Sequence, residues 1–253
     1  MKKEFRKKLF QEHNKKAEEA YIADRTRKAE KIKAVLHDSG KRSGSLLDIG
    51  CSLGIISASL KDGFDVTGID PDEEAVNYAR AKWPGIRFSV QSGERMDFPD
   101  GSFDAAVCAG IYEHVDDPGK LVKEIWRVLK PGGVCYFTAM NRLIPIEPHY
   151  KLPFLSYFPK PLADAYLGLA GGGAYDVRSF CLPGLKKMVS DFKVSDYTVK
   201  VINDPVTFRA TDMVSPGSLG QRAAVFVSEH LYWLVPTYIW ILRKESDCVA
   251  IRK

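Results

Sequence analysis

Four groups of residues in this 253-residue chain have types and spacings that suit chemistry. The first is Asp48-Ile49-Gly50-Cys51-Ser52-Leu53-Gly54, which follows the apolar pair Leu46-Leu47 and precedes a helical pattern beginning at Ile55. A short strand ending in an acid, a turn of small residues and a helix N-terminus make a nucleotide-sized pocket, because small residues let a ligand approach the backbone closely. The second is Asp70-Pro71, which closes the next apolar run 22 positions beyond Asp48. A carboxylate there can accept hydrogen bonds from both hydroxyls of a ribose; the alternative is an N-cap for a helix over Glu73–Ala81. The third is Tyr112-Glu113-His114. An imidazole with an unperturbed pKa of about 6.5 takes up a proton near neutrality, and Glu113 is placed to orient it. The fourth is His149-Tyr150, a second pair of candidates within a stretch dense in proline and aromatic residues.

These residues need elements to hold them. Ala17, Ala20, Tyr21, Ala29, Ile32, Val35 and Leu36 recur at helical spacing and predict one or two helices over 12–38. Lys41-Arg42-Ser43-Gly44 breaks the pattern before the first strand. A short helix follows from Ile55 toward Gly63, then strands at Phe64–Ile69, Ile86–Val90, Ala105–Cys108 and Val134–Ala139. A helix from Pro118 to Leu129 runs into Lys130-Pro131-Gly132-Gly133, a sharp stop before the fifth strand. Residues 143–175 are too apolar for a solvated loop and too broken by proline for regular structure, apart from a short helix at Leu162–Leu169. A helix over Ser179–Phe192, a strand over Val194–Ile202, a helix from about Ser218 to Leu234 and an antiparallel edge strand at Thr237–Leu242 complete the pattern.

The ordered motifs resemble those of the class I S-adenosylmethionine-dependent methyltransferases, and among them the ubiquinone- and menaquinone-biosynthesis type (methyltransferase type 11). Carrying the resemblance are Asp-x-Gly-x-x-x-Gly at 48–54, Asp70, Phe98-Pro99-Asp100-Gly101-Ser102-Phe103-Asp104, Ile111-Tyr112-Glu113-His114-Val115 and Leu129-Lys130-Pro131-Gly132-Gly133. It implies an α/β, Rossmann-like fold: a seven-stranded, mostly parallel sheet with its last strand antiparallel, helices on both faces and an inserted lid. The implied organisation is a helical cap at 1–42, a cofactor-binding core at 43–140, a substrate lid at 141–178 and a C-terminal part of the sheet at 179–253, with a helical insert at about 203–236.

The cofactor implied is S-adenosyl-L-methionine. Its candidate contacts are Asp48, Gly50, Cys51, Ser52, Gly54, Asp70 and Pro71, then Gly93, Glu94 and Arg95 in the loop that folds over the adenine, with Met96 covering a ring face, and Ala109 and Gly110 after the fourth strand. Tyr112, Glu113, His114, His149 and Tyr150 are the candidates for the catalytic half. His114 stands as either proton acceptor or structural residue, and Tyr112 as a wall of the transfer site. Some quinone O-methyltransferases carry Glu-x-x-Glu-His, which can hold a divalent ion. Its first acid falls on Gly110 here, so the expectation is that no metal is needed.

Composition narrows the classes. A hydrophobic fraction of 45% suits a globular core, and five cysteines without a Cys-x-x-Cys pair suit reduced thiols in the cytoplasm. Residues 1–42 hold fourteen Lys/Arg against seven Asp/Glu, enough for a solvated helix face or a peripheral membrane contact. The N-terminal charges lead into no apolar run of a signal peptide, and Leu231–Leu242, interrupted by Pro236, is too short to span a bilayer. No Asn-Pro-Pro-Tyr-type motif for a flipped base follows the fourth strand, so nucleic acid is not the expected substrate. The expected acceptor is a small, hydrophobic molecule (a quinone precursor, lipid, polyketide or lipid-linked sugar), with O-methylation favoured and a monomer or homodimer as the working unit. The competing classes are a non-catalytic cofactor-binding or membrane-associated partner protein and, against the acid at 48, a nicotinamide-dependent oxidoreductase.

Overall fold

A computed structural model describes residues 15–245 of the chain. The lysine-rich start and Cys248 lie outside the described residues. Helix α1 (Lys15–Asp38) turns Ala29, Ile32, Val35 and Leu36 inward at helical spacing and ends before Gly40, whose φ is +87°. Then follow β1 (Gly44–Ile49), α2 (Ile55–Leu60), β2 (Phe64–Asp70), α3 (Glu73–Lys82), β3 (Arg87–Val90), β4 (Phe103–Ala109), a 3-10 turn (Tyr112–His114), α4 (Pro118–Val128) and β5 (Leu129–Met140). The lid holds β6 (Ile146–Glu147), β7 (Leu152–Pro153) and α5 (Lys160–Leu169). After it come α6 (Leu182–Met188), β8 (Lys193–Asp196), α7 (Thr198–Asn203), α8 (Leu219–His230) and β9 (Thr237–Arg243).

The strands lie in the order β3-β2-β1-β4-β5-β9-β8. The first five in chain order pair in parallel, and β9 pairs antiparallel to both β5 and β8. Helices cover both faces, so central strands are largely apolar and adjacent residues enter different cores. Leu46, Val134 and Tyr136 pack with α1 and α3 on one side. Leu47, Cys135 and Phe137 pack with α4 and α6 on the other. From β1 the chain winds outward to β3 and then returns to β4 on the opposite side of β1. That reversal opens a crevice at the carboxyl ends of β1 and β4.

Four expectations for the elements are corrected. The last strand is not at the edge: β9 lies between β5 and β8, buried along Tyr238–Leu242, while the shorter, exposed β8 forms the border. The strand expected over Val194–Ile202 stops at Asp196. There Asp196 accepts from the Thr198 amide (2.9 Å), and the chain turns into α7. Lys130-Pro131-Gly132-Gly133 lies within β5 as a wide bulge, since Phe103 pairs with Leu129 and Ala105 with Val134. The lid is more regular than its prolines imply, because β6 and β7 form a small antiparallel hairpin. Its short helix is present, as is the Ser218-capped helix of the later insert.

Candidate functional site

The crevice is a cavity of about 960 Å³. Its floor is the turn after β1. Gly50 and Gly54 adopt φ of +71° and +74°, and Ser52, where a glycine is common, also takes a left-handed φ of +49°. The Gly50 and Cys51 amides both donate to the Ile69 carbonyl (2.8 and 2.9 Å), which folds the turn back against the end of β2. A Cβ on Gly50 would sit 2.2 Å from Ile111 Cδ1, so its bare backbone lets the loop after β4 close in.

Two carboxylates flank this turn. Asp48 is buried, accepts from Ser57 Oγ (2.6 Å), and is raised by burial to a pKa of about 6. Asp70 accepts from the Ser52 amide through Oδ2 and the Asp72 amide through Oδ1, both 2.9 Å. The N-cap of α3 is Asp72, which accepts from the Ala75 amide. Asp70 is therefore not the cap and remains on the cavity wall.

At the other end stand Glu113, His114 and His149. Glu113 is 4% exposed, and its Oε2 has no hydrogen-bond partner. Burial raises its carboxyl above the usual range. His114 Nε2 lies 3.1 Å from His149 Nε2, the rings meeting edge-on at 90°. Burial, then His149, lowers His114 to about 4, which leaves it a neutral ring at pH 7. His149 Nδ1 lies 2.6 Å from Glu147 Oε1, and Glu147, fully buried, also accepts from the Tyr150 amide.

Asp48, Gly50, Cys51, Ser52, Asp70, Pro71, Gly93, Glu94, Ala109, Gly110, Glu113, His114 and His149 all border the cavity. Gly54, Arg95, Met96, Tyr112 and Tyr150 do not. Gly54 is a turn residue whose Cβ would strike the Phe88 ring at 2.7 Å. Met96 is buried in the core beside Leu121. Tyr112 points inward, donating to the Met140 carbonyl and accepting from the Phe180 amide. Tyr150 bonds to Asp176 within the lid. The sequence predicts a helical cap at 1–42 but singles out none of its residues as site residues; Tyr21, Arg25, Lys28 and Lys31 of α1 form one wall. Lys28 Nζ donates to the Ala109 carbonyl (2.8 Å), and burial lowers its pKa to about 8. Only the helical spacing hinted at this; nothing in it says which polar residues face a ligand.

Residues 47–137 match a family model described as a methyltransferase domain. The match runs from β1 into β5. The chain is 30% identical over 165 residues to a demethylmenaquinone methyltransferase of Chlorobaculum parvum, an alignment covering 64% of this chain and 65% of that one. It is 33% identical over 144 residues to a ubiquinone biosynthesis O-methyltransferase of Colwellia psychrerythraea, covering 54% and 55%. The chain thus spans less than two thirds of either relative. Among solved structures, the plantazolicin methyltransferase BpumL superposes with a TM-score of 0.57 at 18% identity, over 95% of this chain and 93% of that one. A SAM-dependent methyltransferase from Methanosarcina mazei gives 0.54 at 23%, over 83% and 97%. The chain therefore shares the fold of these methyltransferases.

Proposed function

We propose that the chain is an S-adenosyl-L-methionine-dependent methyltransferase acting on a small, apolar acceptor, with a phenolic or enolic oxygen of a quinone precursor as the leading class. The observation that carries this reading is the pair Asp48 and Asp70 at adjacent strand ends around the Gly50 turn, opening on a cavity large enough for a nucleoside and a second molecule. The residues fit the donor. Asp70 is held by two backbone amides on the cavity wall at the end of β2, which suits a ribose. Gly93 borders the cavity and packs closely on Ile49 and Leu121, which a Cβ would approach within 3.0 and 2.8 Å. When bound, the donor supplies a methyl group already activated on a sulfonium.

The chain's own residues do the rest. Asp70 and the 50–54 turn orient the nucleoside, and Gly93 and Glu94 border the base. Holding an acceptor in line with the transferred methyl supplies several kcal/mol of the barrier. Glu113, His114 and His149 meet the acceptor's polar group at the far end. Met140, Pro148, Met213 and Ile239 make part of the surrounding wall apolar. Transfer from a sulfonium to an oxygen anion consumes charge, so a dry apolar wall favours it. The relatives named for quinone biosynthesis support the acceptor class.

Calorimetry with S-adenosylhomocysteine tests the donor half. Asp70→Ala is expected to weaken binding tenfold or more, about 1.4 kcal/mol; an unchanged affinity removes Asp70 from the ribose role. Mass spectrometry of candidate quinone precursors incubated with enzyme and donor tests the acceptor half, by a gain of one CH₂.

A further inference from the structure

We propose that Glu113, His114 and His149 form a binding site for a divalent transition-metal ion, of the Zn²⁺ class, which ties the lid to the core at the acceptor end of the cavity. One ligand atom from each of the three lies within 4.8 Å of the others. The two imidazole nitrogens face each other at 3.1 Å. Two nitrogens bound to one tetrahedral ion at about 2.0–2.1 Å each would stand roughly 3.3 Å apart, so little movement is needed.

Three features of the surroundings suit an ion. Glu147, fully buried, takes His149 Nδ1–H, which leaves the Nε2 lone pair directed at the cluster. A carboxylate behind a ligating imidazole is the usual outer-shell support of a metal site. Glu113 Oε2 is buried without a partner, a costly state that a cation relieves. Lys28, whose charge acts on Glu113, is engaged by the Ala109 carbonyl. Without an ion, one histidine must donate Nε2–H to the other, and the Glu113 oxygen stays unsatisfied.

This is not the oxygen-rich set of Glu-x-x-Glu-His. Gly110 has φ +75°, a conformation side chains rarely adopt, and supplies no acid. The replacement comes from His149, 35 residues beyond His114 and on the lid. Two imidazoles and one carboxylate select a borderline transition metal over Mg²⁺, which prefers oxygen ligands and near-ideal octahedral geometry. The three protein ligands also leave a coordination position for an acceptor oxygen, whose proton such an ion makes easier to remove. That role rests on the proposed methyl transfer; the binding does not.

The test is titration of the full chain, stripped with chelator, with Co²⁺ as a spectroscopic probe and Zn²⁺ as competitor. The expected result is one equivalent bound with visible d–d bands, displaced by Zn²⁺ and not by Mg²⁺ at a hundredfold excess. His149→Ala is expected to lose at least tenfold in affinity. His149→Cys, which keeps a ligand, should retain binding and add a sulfur charge-transfer band. Equal affinity in wild type and His149→Ala, no stoichiometric binding, or displacement by Mg²⁺ overturns the site. S-adenosylhomocysteine calorimetry on stripped protein separates the two proposals. Donor binding without cobalt binding overturns only the metal site, and cobalt binding without donor binding overturns only the proposed reaction.

Discussion

Asp104 shows how one carboxylate links sequence to stability. It closes the Phe-x-x-x-Ser-Phe-Asp turn, accepts from Lys130 Nζ (2.8 Å) and from the Ser45 amide (3.0 Å), and stitches β1, β4 and β5 together. Lys130 is the larger cause and the Ser45 amide a smaller one of a carboxyl held at about 2, below its ordinary 3.8. A depressed folded-state value means stability present above the unfolded value and lost as pH falls toward the folded one. Asp104→Asn is therefore expected to be about 1 kcal/mol less stable at pH 6, the figure being discounted for partial exposure. The difference should shrink below pH ~4 and disappear near 2. Urea denaturation at pH 6, 4 and 3 checks it, and a pH-independent difference would show that the ion pair is not the cause.

Among elements, the junction between β5 and the lid depends on Asn141. It is fully buried, and its Nδ2 donates its two hydrogens to the Trp233 carbonyl (2.7 Å) and the Val235 carbonyl (2.9 Å), with Tyr238 Oη nearby at 3.1 Å, while Oδ1 accepts from the Leu143 amide (3.1 Å). One side chain thereby joins the end of β5, the entry to β9 and the first residue of the lid proper. Arg142 continues the tie, donating from Nε to the Ser156 carbonyl (3.0 Å). Asn141→Ala leaves buried carbonyls unpaired and is expected to cost about 1–3 kcal/mol. Hydrogen exchange should rise at both the lid entry and 233–238. A rise on one side only would mean that the two elements are not coupled through this residue.

For the whole molecule, the cavity is closed by parts distant in sequence. Lys31 on α1 reaches Asp212, in the segment between α7 and α8, at 3.2 Å, with its own side chain only 9% exposed. That contact draws α1 and the 203–218 segment together at the cavity wall. Lys31→Ala is expected to speed exchange along α1 and around 205–214, and to make S-adenosylhomocysteine leave severalfold faster. Such local opening belongs to the weakly held parts of a fold rather than its core. Unaltered dissociation by stopped-flow would mean that the cap does not gate the donor. No helix among the described residues is long and apolar enough to cross a membrane.

The turn after β1 was legible from residues alone because it is local: strand, turn and helix N-terminus lie within Leu46–Leu60, and Asp70 ends the next strand. Backbone geometry over a dozen residues decides where Asp48, Gly50 and Asp70 point, and short-range spacing records it. Arg95, Met96, Tyr112 and Tyr150 do not border the cavity for the converse reason, since their direction depends on packing that spacing does not encode. The same limit hid Lys28 on the cavity wall and put the last strand at the edge. It also hid the meeting of His149 with Glu113 and His114. Sequence alone determined the order of the central elements and the turn that sets Asp48, Gly50 and Asp70 together. Only the tertiary structure decided which distant side chains share the acceptor end, because those contacts arise from long-range packing of lid and cap.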